Sequence, residues 1–334
     1  MAITQFDKLS QAWLLALPSP TTHLASPVFR EAMAMHLCLP SPGCQSKVGQ
    51  PVGPSGDTVD PFGDSIMYAR LPFDTWRTRH DTVKLAIVER AHDAGVEIEP
   101  EVYGLFSDLI PAVATGNGGD LEMVRQRQGL VPDYRIRLQS EHGNPVDYLA
   151  ELKVISAGPT RYYARGSRDK AVDVRARALT REYRSKLEAL DIKYLRVPRG
   201  QTGPLVQRLE SWEELQGLVV GQFGEGSQHL HELLGQLAEA KVAKQARATG
   251  VHPGESDVGM MLSHYRRILS IVAVRAQATC LLTRLGHLDR GAREAAQRRS
   301  LAVRRKAALR GEARAYFQAY ICGRGVHRHG DILH

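Results

Sequence analysis

The amino-acid sequence predicts an α/β domain followed by an all-helical region. Between residues 64 and 200, helical periodicity and strand-like alternation follow one another, whereas beyond Gly200 long helical patterns replace the strands. The 334-residue chain is 43% apolar and 24% charged, as in globular proteins with a buried core. We therefore expect an N-terminal stretch at residues 1–63, a core at 64–200 and a helical region at 201–334.

The N-terminal stretch combines short helical pieces with a segment that disfavours regular structure. Helical patterns cover Ser10–Leu17 and Ser26–His36. Residues 39–63 then contain ten prolines and glycines, which interrupt helices and strands. We expect this second segment to be a linker.

The predicted core has the element order helix, strand, hairpin, helix, strand. Its first helix is amphipathic and ends at Gly95, and the strand after it is interrupted by Pro100. Two alternating strands form the hairpin, and a long charged helix separates it from the last strand. The segments are Thr82–Ala94, Val96–Phe106, Asp133–Leu138, Val146–Ser156, Lys170–Leu190 and Lys193–Val197. Together they predict a compact α/β core of about 120 residues.

The helical region ends in a strongly basic segment. Its predicted helices are Val206–Val220, His229–Ala248, Met260–Leu288 and Ala292–Tyr320. Residues 241–334 contain eighteen Lys or Arg and six Asp or Glu, a net charge of +12, whereas the rest of the chain sums to −4. Such a localised basic end is typical of a polyanion partner. An Arg-rich composition inherited from a GC-rich genome is the alternative.

Composition argues against membrane insertion and secretion. No apolar run reaches the ~18 residues that a membrane-spanning helix needs, so we expect no membrane partner. The apolar stretch Ala12–Leu17 is too short for the core of a signal peptide. Four widely spaced cysteines do not make a disulfide scaffold. We expect a nuclear or cytoplasmic protein that is not secreted.

Two acids and a lysine occupy the predicted hairpin. Asp133 follows Pro132 and opens the first strand, whereas Glu151 and Lys153 lie two residues apart on the second and point to one face. The turn can bring Asp133 beside them. Two neighbouring carboxylates, with the Leu152 carbonyl, suit a hard divalent cation such as Mg²⁺ or Mn²⁺. With Lys153 they suit phosphodiester hydrolysis, and an ordinary ion pair on a strand is the alternative.

These residues resemble the PD-(D/E)xK restriction-endonuclease-like nucleases. The motif is Pro132–Asp133 with Glu151-Leu152-Lys153, and upstream of it stand Arg79-His80-Asp81, a helix and Glu99-Pro100. This pattern is similar to the restriction-like endonuclease region at the C-terminal end of retrotransposon reverse-transcriptase polyproteins, where Arg-His-Asn, a helix, Glu-Pro and Pro-Asp follow in this order. Asp81 replaces the Asn of that family. The resemblance covers about residues 60–200.

The resemblance implies a restriction-endonuclease-like core, with a mixed sheet flanked by helices, and a metal-dependent nick in target DNA. Asp133 and Glu151 would bind Mg²⁺ or Mn²⁺ and act in catalysis together with Lys153. Glu99 would be a third metal-binding acid. Glu89 is an alternative third acid, but its helical phase directs it away from the apolar face of its helix.

Zinc is not expected as a cofactor. The family often carries a Cys-Cys-His-Cys zinc knuckle upstream of the nuclease. Here Cys38 and Cys44 are followed only by the distant His80, which leaves two clear ligands where a structural zinc site needs four.

The last predicted helix carries a basic ridge that suits phosphate contacts. Its members fall in one narrow stripe at 3.6 residues per turn, beside an apolar stripe that can dock. The ridge consists of Arg299, Lys306, Arg310 and Arg314. We expect these side chains to bind DNA, with RNA as an alternative partner, and a solvated amphipathic helix is the other interpretation.

Three hypotheses follow from the sequence. The first is a retroelement-derived, metal-dependent DNA endonuclease. The second is a catalytically decayed nuclease fold that acts as a nucleic-acid-binding module, and the third is a helical scaffold that uses residues 201–320 to join other chains. Replacing the acids of the hairpin distinguishes the first hypothesis from the second, because only the endonuclease needs them for cleavage. Replacing the basic ridge distinguishes the second from the third, because only the binding module needs it to hold nucleic acid.

Overall fold

The computed structural model describes residues 6–17, 19–52, 56–69, 71, 74–106, 108–110, 131–139, 145–156, 162, 170–212 and 215–324, with the backbone alone at 139, 145 and 290–324. The helices of this part of the chain are α1 (Ser26–His36), α2 (Asp64–Tyr68), α3 (Thr75–Ala94), α4 (Ala171–Leu195), α5 (Pro204–Glu210), α6 (Gln228–Thr249) and α7 (Glu255–Arg324). The strands are β1 (Pro51–Val52), β2 (Asp57–Thr58), β3 (Glu97–Pro100), β4 (Tyr134–Gln139), β5 (Pro145–Val154) and β6 (Gln216–Val220).

A mixed four-stranded sheet organises the fold, in the order β3-β4-β5-β6. The pairs β3–β4 and β4–β5 are antiparallel, whereas β5 and β6 are parallel. A parallel pair needs a crossover connection, which α4 and α5 supply here. The predicted class, α/β with a mixed sheet flanked by helices and a helical C-terminal region, is confirmed.

The largest hydrophobic core covers one face of the sheet. Side chains of β4 and β5 that alternate toward this face, such as Tyr134, Ile136 and Leu152, are fully buried against apolar residues of α3, α6 and the first part of α7. The opposite face packs against α4 and α5 through a second cluster that includes Leu149 and Leu187. Apolar clusters therefore pack on both faces of the sheet.

Helix α3 fits its predicted boundary at one end only. Gly95 adopts a left-handed conformation with φ of 76°, which ends the helix where the sequence predicts. The helix begins at Thr75, seven residues before the predicted start. The added turns bring Arg79 and His80 into the helix, and this is the segment that packs beside the end of the sheet.

The fourth strand is not the predicted one. The segment Lys193–Val197 was expected to form it, but its first three residues belong to α4, because Tyr194 continues the apolar spacing of Tyr183, Leu187 and Leu190. The strand is β6, inside the segment Val206–Val220 for which the sequence predicts a helix.

The close approach of α4 requires a glycine in β6. A Cβ atom on Gly217 would lie 2.7 Å from the Cα of Ala176 in α4. Glycine therefore allows this helix to pack directly on the strand.

The N-terminal stretch joins the same compact unit as the sheet. The 3-10 helix Ala12–Leu15 and helix α1 match the predicted helical pieces, and the backbone N–H of Trp13 donates to Ser270 Oγ of α7 at 3.1 Å. The expected linker contains the paired strands β1 and β2 and the buried Cys44. The structure divides into Met1–Arg284 and Leu285–His334. The divisions predicted at residues 63 and 200 both fall inside the first unit.

Helix α7 joins two segments for which the sequence predicts separate helices. It continues through Gly286 and Gly291, since one glycine costs a helix only about 1 kcal/mol. By length and composition alone, its stretch Glu255–Asp289 meets the requirements for a membrane-spanning helix, and 67% of its most apolar 18-residue window is buried inside the fold. Such burial is typical of a core helix in a globular unit.

Candidate active site

The antiparallel strands bring the predicted acids to one end of the sheet. Tyr134 pairs with Ala150 across β4 and β5, so one more step of this register sets Asp133 opposite Glu151. The carboxylate Oδ2 of Asp133 accepts a hydrogen bond from the backbone N–H of Leu152 at 2.9 Å. Glu151 and Lys153 lie on β5, as predicted, and the Lys153 ammonium contacts Glu151 Oε1. The three motif residues thus lie at the same end of the sheet.

Helix α3 adds two basic side chains to this group. His80 and Lys84 are four residues apart, and both reach Asp133 from the same side of the helix. His80 Nε2 lies 3.2 Å from the Leu152 carbonyl oxygen and 3.4 Å from Asp133 Oδ2. Lys84 Nζ donates to Asp133 Oδ1 at 2.9 Å. Asp133 is therefore clamped between the helix and the neighbouring strand.

The charges of this clamp shift all three pKa values. Burial lowers the pKa of His80 and of Lys84, but hydrogen bonding and attraction to Asp133 outweigh burial and leave both pKa values above their ordinary range. Burial raises the pKa of Asp133, but His80 and Lys84 outweigh it and lower this pKa to about 2. Asp133 is accordingly a carboxylate at neutral pH.

Glu151 is held from the opposite side by α4. Its residue surface is only 7% exposed, and Oε2 accepts a hydrogen bond from the Tyr183 hydroxyl at 2.6 Å. Burial, followed by the nearby charge of Glu151, raises the pKa of Tyr183 well above its ordinary value, so the hydroxyl stays a donor. Tyr183 thereby fixes the orientation of this carboxylate.

Glu99, the predicted third acid, does not join this group. It pairs with Arg135 across β3 and β4, with its carboxylate 3.8 Å from that guanidinium. The third acid in the group is Glu101, whose backbone N–H donates to the Asp133 carbonyl at 2.9 Å and whose Oε1 accepts from Lys84 at 3.2 Å. The register thus continues one residue beyond Pro100 and places Glu101, not Glu99, opposite Asp133.

Arg79, in the upstream motif, joins α3 to neighbouring elements of the fold. Its guanidinium donates to the Val154 carbonyl at the end of β5, and to Gln277 Oε1 of α7, both at 2.9 Å. It also contacts Ser156 Oγ. Arg79 therefore anchors α3 to the strand that carries Glu151. This contact fixes the position along the sheet at which His80 and Lys84 approach it.

The oxygen atoms of the group retain capacity for a hard cation. A carboxylate has about four lone-pair positions. In the part of the chain that is described, Asp133 accepts from Leu152, His80 and Lys84, whereas Glu151 accepts from Tyr183 and Lys153. Carboxylate and carbonyl oxygens are ligands that Mg²⁺ and Mn²⁺ prefer.

A cation site in this group would have few side-chain ligands. Within the described residues, no three or more His, Cys, Asp and Glu side chains are grouped as a ready metal centre. The oxygen donors available to a cation are those of Asp133, Glu151 and the Leu152 carbonyl, whereas Glu99, which was also expected as a ligand, pairs with Arg135.

The predicted basic ridge lies outside what is described at the side-chain level. Helix α7 runs through all four positions, but their side chains belong to the backbone-only segment 290–324. The positions are Arg299, Lys306, Arg310 and Arg314. Their role in binding nucleic acid stays a prediction.

Sequence reasoning missed three members of the group. Lys84, Glu101 and Tyr183 come from a helix, a strand end and a second helix, and only tertiary packing brings them to Asp133 and Glu151. One signal was available for the first, because the spacing of four from His80 places Lys84 one helical turn away.

Comparisons with known proteins leave the family open. No model of a known protein family matches the chain, and no curated protein sequence matches it. The geometry of the group at the end of the sheet is therefore the basis on which a function is assigned.

Proposed function

We propose that this protein is a metal-dependent DNA endonuclease that nicks target DNA by phosphodiester hydrolysis. The observation that carries the proposal is the grouping of Asp133, Glu151 and Lys153 at one end of a mixed sheet. Two carboxylates at opposed positions of a hairpin, with a partly exposed lysine beside one of them, suit the chemistry needed to cleave a phosphodiester.

The topology of the sheet supports a PD-(D/E)xK core. Helix α3 is followed by three antiparallel strands, a crossover helix and a fourth strand parallel to the third. A mixed sheet flanked by helices is what the resemblance to restriction-endonuclease-like nucleases implies, and here Asp133 immediately precedes the second strand while Glu151 lies on the third. The motifs Arg79-His80-Asp81 and Glu99-Pro100 add the resemblance to retroelement nucleases, from which we infer the origin of this domain.

A divalent cation, Mg²⁺ or Mn²⁺, would be held by Asp133, Glu151 and the Leu152 carbonyl. When bound, it lowers the pKa of water and offsets charge on the phosphate. Lys153 would add to the stabilisation of charge on the phosphate. Lys153, with 38% of its side chain exposed, has access to solvent and can orient the attacking water and offset charge on the phosphate.

DNA binding is assigned to the basic end of the chain. Residues 241–334 carry a net charge of +12, so contacts with phosphates would give an affinity that falls as salt rises. The catalytic group, by contrast, contains three acids. DNA would therefore be held largely outside the group, by the helical region.

A second candidate function is a nucleic-acid-binding module that has lost catalysis. The observation that favours it is that Lys84 contacts Asp133 and Lys153 contacts Glu151, so side chains of the protein itself pair with both acids. Pairing offsets the cost of burying a charge. This candidate predicts salt-sensitive DNA binding without turnover.

Nicking of supercoiled plasmid at low salt separates the two candidates. The wild type is compared with Glu151→Gln, which keeps an acceptor for Tyr183 but removes the charge, in the presence of Mg²⁺ or Mn²⁺. The control is Glu188→Gln, which alters an exposed acid of α4 that pairs with Arg184. We expect nicking by the wild type and the control, and its loss in Glu151→Gln. A folded wild type that binds DNA but leaves the plasmid intact would establish the binding module instead.

A further inference from the structure

Two exposed aromatic rings border the candidate active site. Trp76 is 54% exposed and Tyr103 is 49% exposed. The other two tryptophans of the chain are covered, since Trp13 is buried and the ring of Trp212 packs against the Arg135 guanidinium at 4.7 Å. Exposed rings beside a site are candidates for contacts with its ligand, because they offer a large and rigid surface.

Trp76 lies on the same side of α3 as the two residues that contact Asp133. It comes four residues before His80 and eight before Lys84, and residues four apart are neighbours on the surface of a helix. His80 Nε2 lies 3.4 Å from Asp133 Oδ2. Because a helix rises about 1.5 Å per residue, Trp76 lies about 6 Å beyond His80 along the helix axis. The indole is therefore one helical turn from the group that contains Asp133.

Tyr103 lies at the other end of this group. Its hydroxyl donates to the Glu101 carboxylate, and Lys84 Nζ donates to the same carboxylate at 3.2 Å. Along α3, Trp76 is thus next to His80, whereas Tyr103 is joined through Glu101 to Lys84. About 12 Å of helix axis separates Trp76 from Lys84. The two rings consequently border the site from opposite ends.

A cation accompanies the indole. The Arg77 guanidinium lies 6.0 Å from the centre of the Trp76 ring, at the outer limit of a cation–π contact, and 65% of its side chain is exposed. Arg77 is also 3.9 Å from Asp74, whose side chain is equally open to solvent, and an ion pair at such exposure is weak. Arg77 can therefore exchange this carboxylate for a phosphate.

The arrangement favours nucleobases over a protein or lipid partner. Those partners bind continuous apolar patches, whereas here the charged Arg77 and Asp81 accompany Trp76 on α3, and the Tyr103 hydroxyl is held by an acid. Single rings among charged side chains are typical of proteins that hold unpaired bases, each base stacking on a ring while cations contact the backbone. Bases within a duplex are stacked on each other and do not offer their faces.

We propose that Trp76 and Tyr103 are stacking platforms for unpaired bases of single-stranded DNA, one at each end of the candidate active site. This inference rests on the proposed function, because it takes the bound strand to be the DNA substrate. It adds the substrate class, which is DNA that is locally single-stranded. Both rings would hold bases and not the reacting phosphate, so they are binding residues. Since every base has a face that can stack, the platforms select unpaired DNA without selecting a sequence.

Binding of oligothymidylate to the full chain, in EDTA so that no DNA is cut, tests the platform at Trp76. Tryptophan fluorescence reports stacking on an indole, and the anisotropy of a labelled oligothymidylate reports affinity. We expect quenching in the wild type and its loss in Trp76→Ala, with an affinity lowered by about tenfold in this variant. Trp76→Phe retains a ring and should recover most of the affinity.

Tyr103 requires a pair of variants, because its hydroxyl also holds Glu101. Tyr103→Phe keeps the ring and should bind oligothymidylate like the wild type, whereas Tyr103→Leu removes the ring and should bind about tenfold more weakly. The matched control is Leu85→Ala, which removes an exposed apolar side chain half a turn away from Trp76 on α3 and should leave binding unchanged. A duplex of the same length should bind all the variants equally.

A folded Trp76→Ala or Tyr103→Leu variant with the wild-type affinity for oligothymidylate would overturn the proposal. An equal loss of duplex binding would also overturn it, as would tighter binding of oligouridylate than of oligothymidylate by the wild type. Circular dichroism melting establishes that each variant is folded. The expected losses of binding without plasmid nicking by the wild type would instead refute the endonuclease and leave the platforms intact.

Discussion

Replacement of Asp133 by asparagine tests the electrostatics of the clamp. Burial raises the pKa of Asp133, but His80 and Lys84 lower it from 3.8 to about 2. Since one pKa unit corresponds to about 1.4 kcal/mol, the ionised carboxylate contributes about 2 kcal/mol to the free energy of unfolding at neutral pH. The side chain is only 14% exposed, so solvent screening reduces this figure little.

The sign of the pH dependence follows from the direction of the shift. A pKa lowered by folding adds stability above the unfolded value of 3.8, and this contribution is lost as the pH falls through about 2. We therefore expect Asp133→Asn to lower the free energy of unfolding by about 2 kcal/mol at pH 7, but by only about 1 kcal/mol at pH 3.

Urea unfolding of wild type and variant at the two pH values, followed by circular dichroism, measures this difference. Glu188→Gln is the control, because the acid is half-exposed and its loss should change the free energy of unfolding by less than about 0.5 kcal/mol. If Asp133→Asn is equally destabilising at pH 7 and pH 3, then His80 and Lys84 do not stabilise the ionised carboxylate, and our account of the clamp is wrong.

Three further predictions concern single contacts. Tyr183→Phe removes a hydrogen bond of about 2 kcal/mol to the Glu151 carboxylate, so plasmid nicking should slow by at least about tenfold. The circular dichroism spectrum should be unchanged. An unchanged nicking rate would show that the hydroxyl does not orient the site. Glu101→Gln should reduce nicking more than Glu99→Gln, and the reverse order in the same assay would restore the acid expected from the sequence. Gly217→Ala forces a Cβ to within 2.7 Å of Ala176 and should lower the melting temperature measured by calorimetry, whereas an unchanged temperature would contradict the close packing of this helix on the sheet.

Elements with a clear period were predictable from the sequence. The hairpin strands β4 and β5 differ from their predicted bounds by one or two residues, because apolar and polar side chains alternate along them. Helix α1 matches its prediction at both ends. Asp133, Glu151 and Lys153 were placed correctly because their positions depend only on this alternation and on a short turn.

Strand β6 was not predictable in the same way. The run from Leu215 to Val220 is nearly continuous in apolar residues, since the strand is buried on both faces, and such a run fits a helix as well as a strand. Its partner β5 lies more than sixty residues earlier in the chain. Only the completed sheet distinguishes the alternatives.

The third acid shows how a small error in register changes a site. The motif Glu99-Pro100 led to the prediction that Glu99 is the third acid. Side chains two residues apart on a strand point to the same face but have different partners on the neighbouring strand. Glu99 consequently meets Arg135, while Glu101 meets Asp133. Strand alternation predicts that both acids share a face, but it does not say which of them reaches the end of the sheet.

The pairing of charges along the sheet is itself an argument for a ligand. Away from Glu101, Asp133 and Glu151, the strands β3, β4 and β5 set opposite charges against each other, since Arg137 contacts both Glu97 and Asp147. Cross-strand pairs of this kind stabilise a sheet, whereas like charges directly opposite destabilise it.

At the end of the sheet the alternation stops, because the register sets Glu101 opposite Asp133 and Asp133 opposite Glu151, of which Glu151 is buried and Asp133 partly buried. Lys84, Lys153 and the imidazole of His80 set three basic groups against these three acids. The stability of the sheet alone would favour continuing the cross-strand alternation of charge for one more position. The succession of acids is where the sequence departs from what the sheet requires, and we propose that a divalent cation at Asp133 and Glu151 is the ligand that this departure serves.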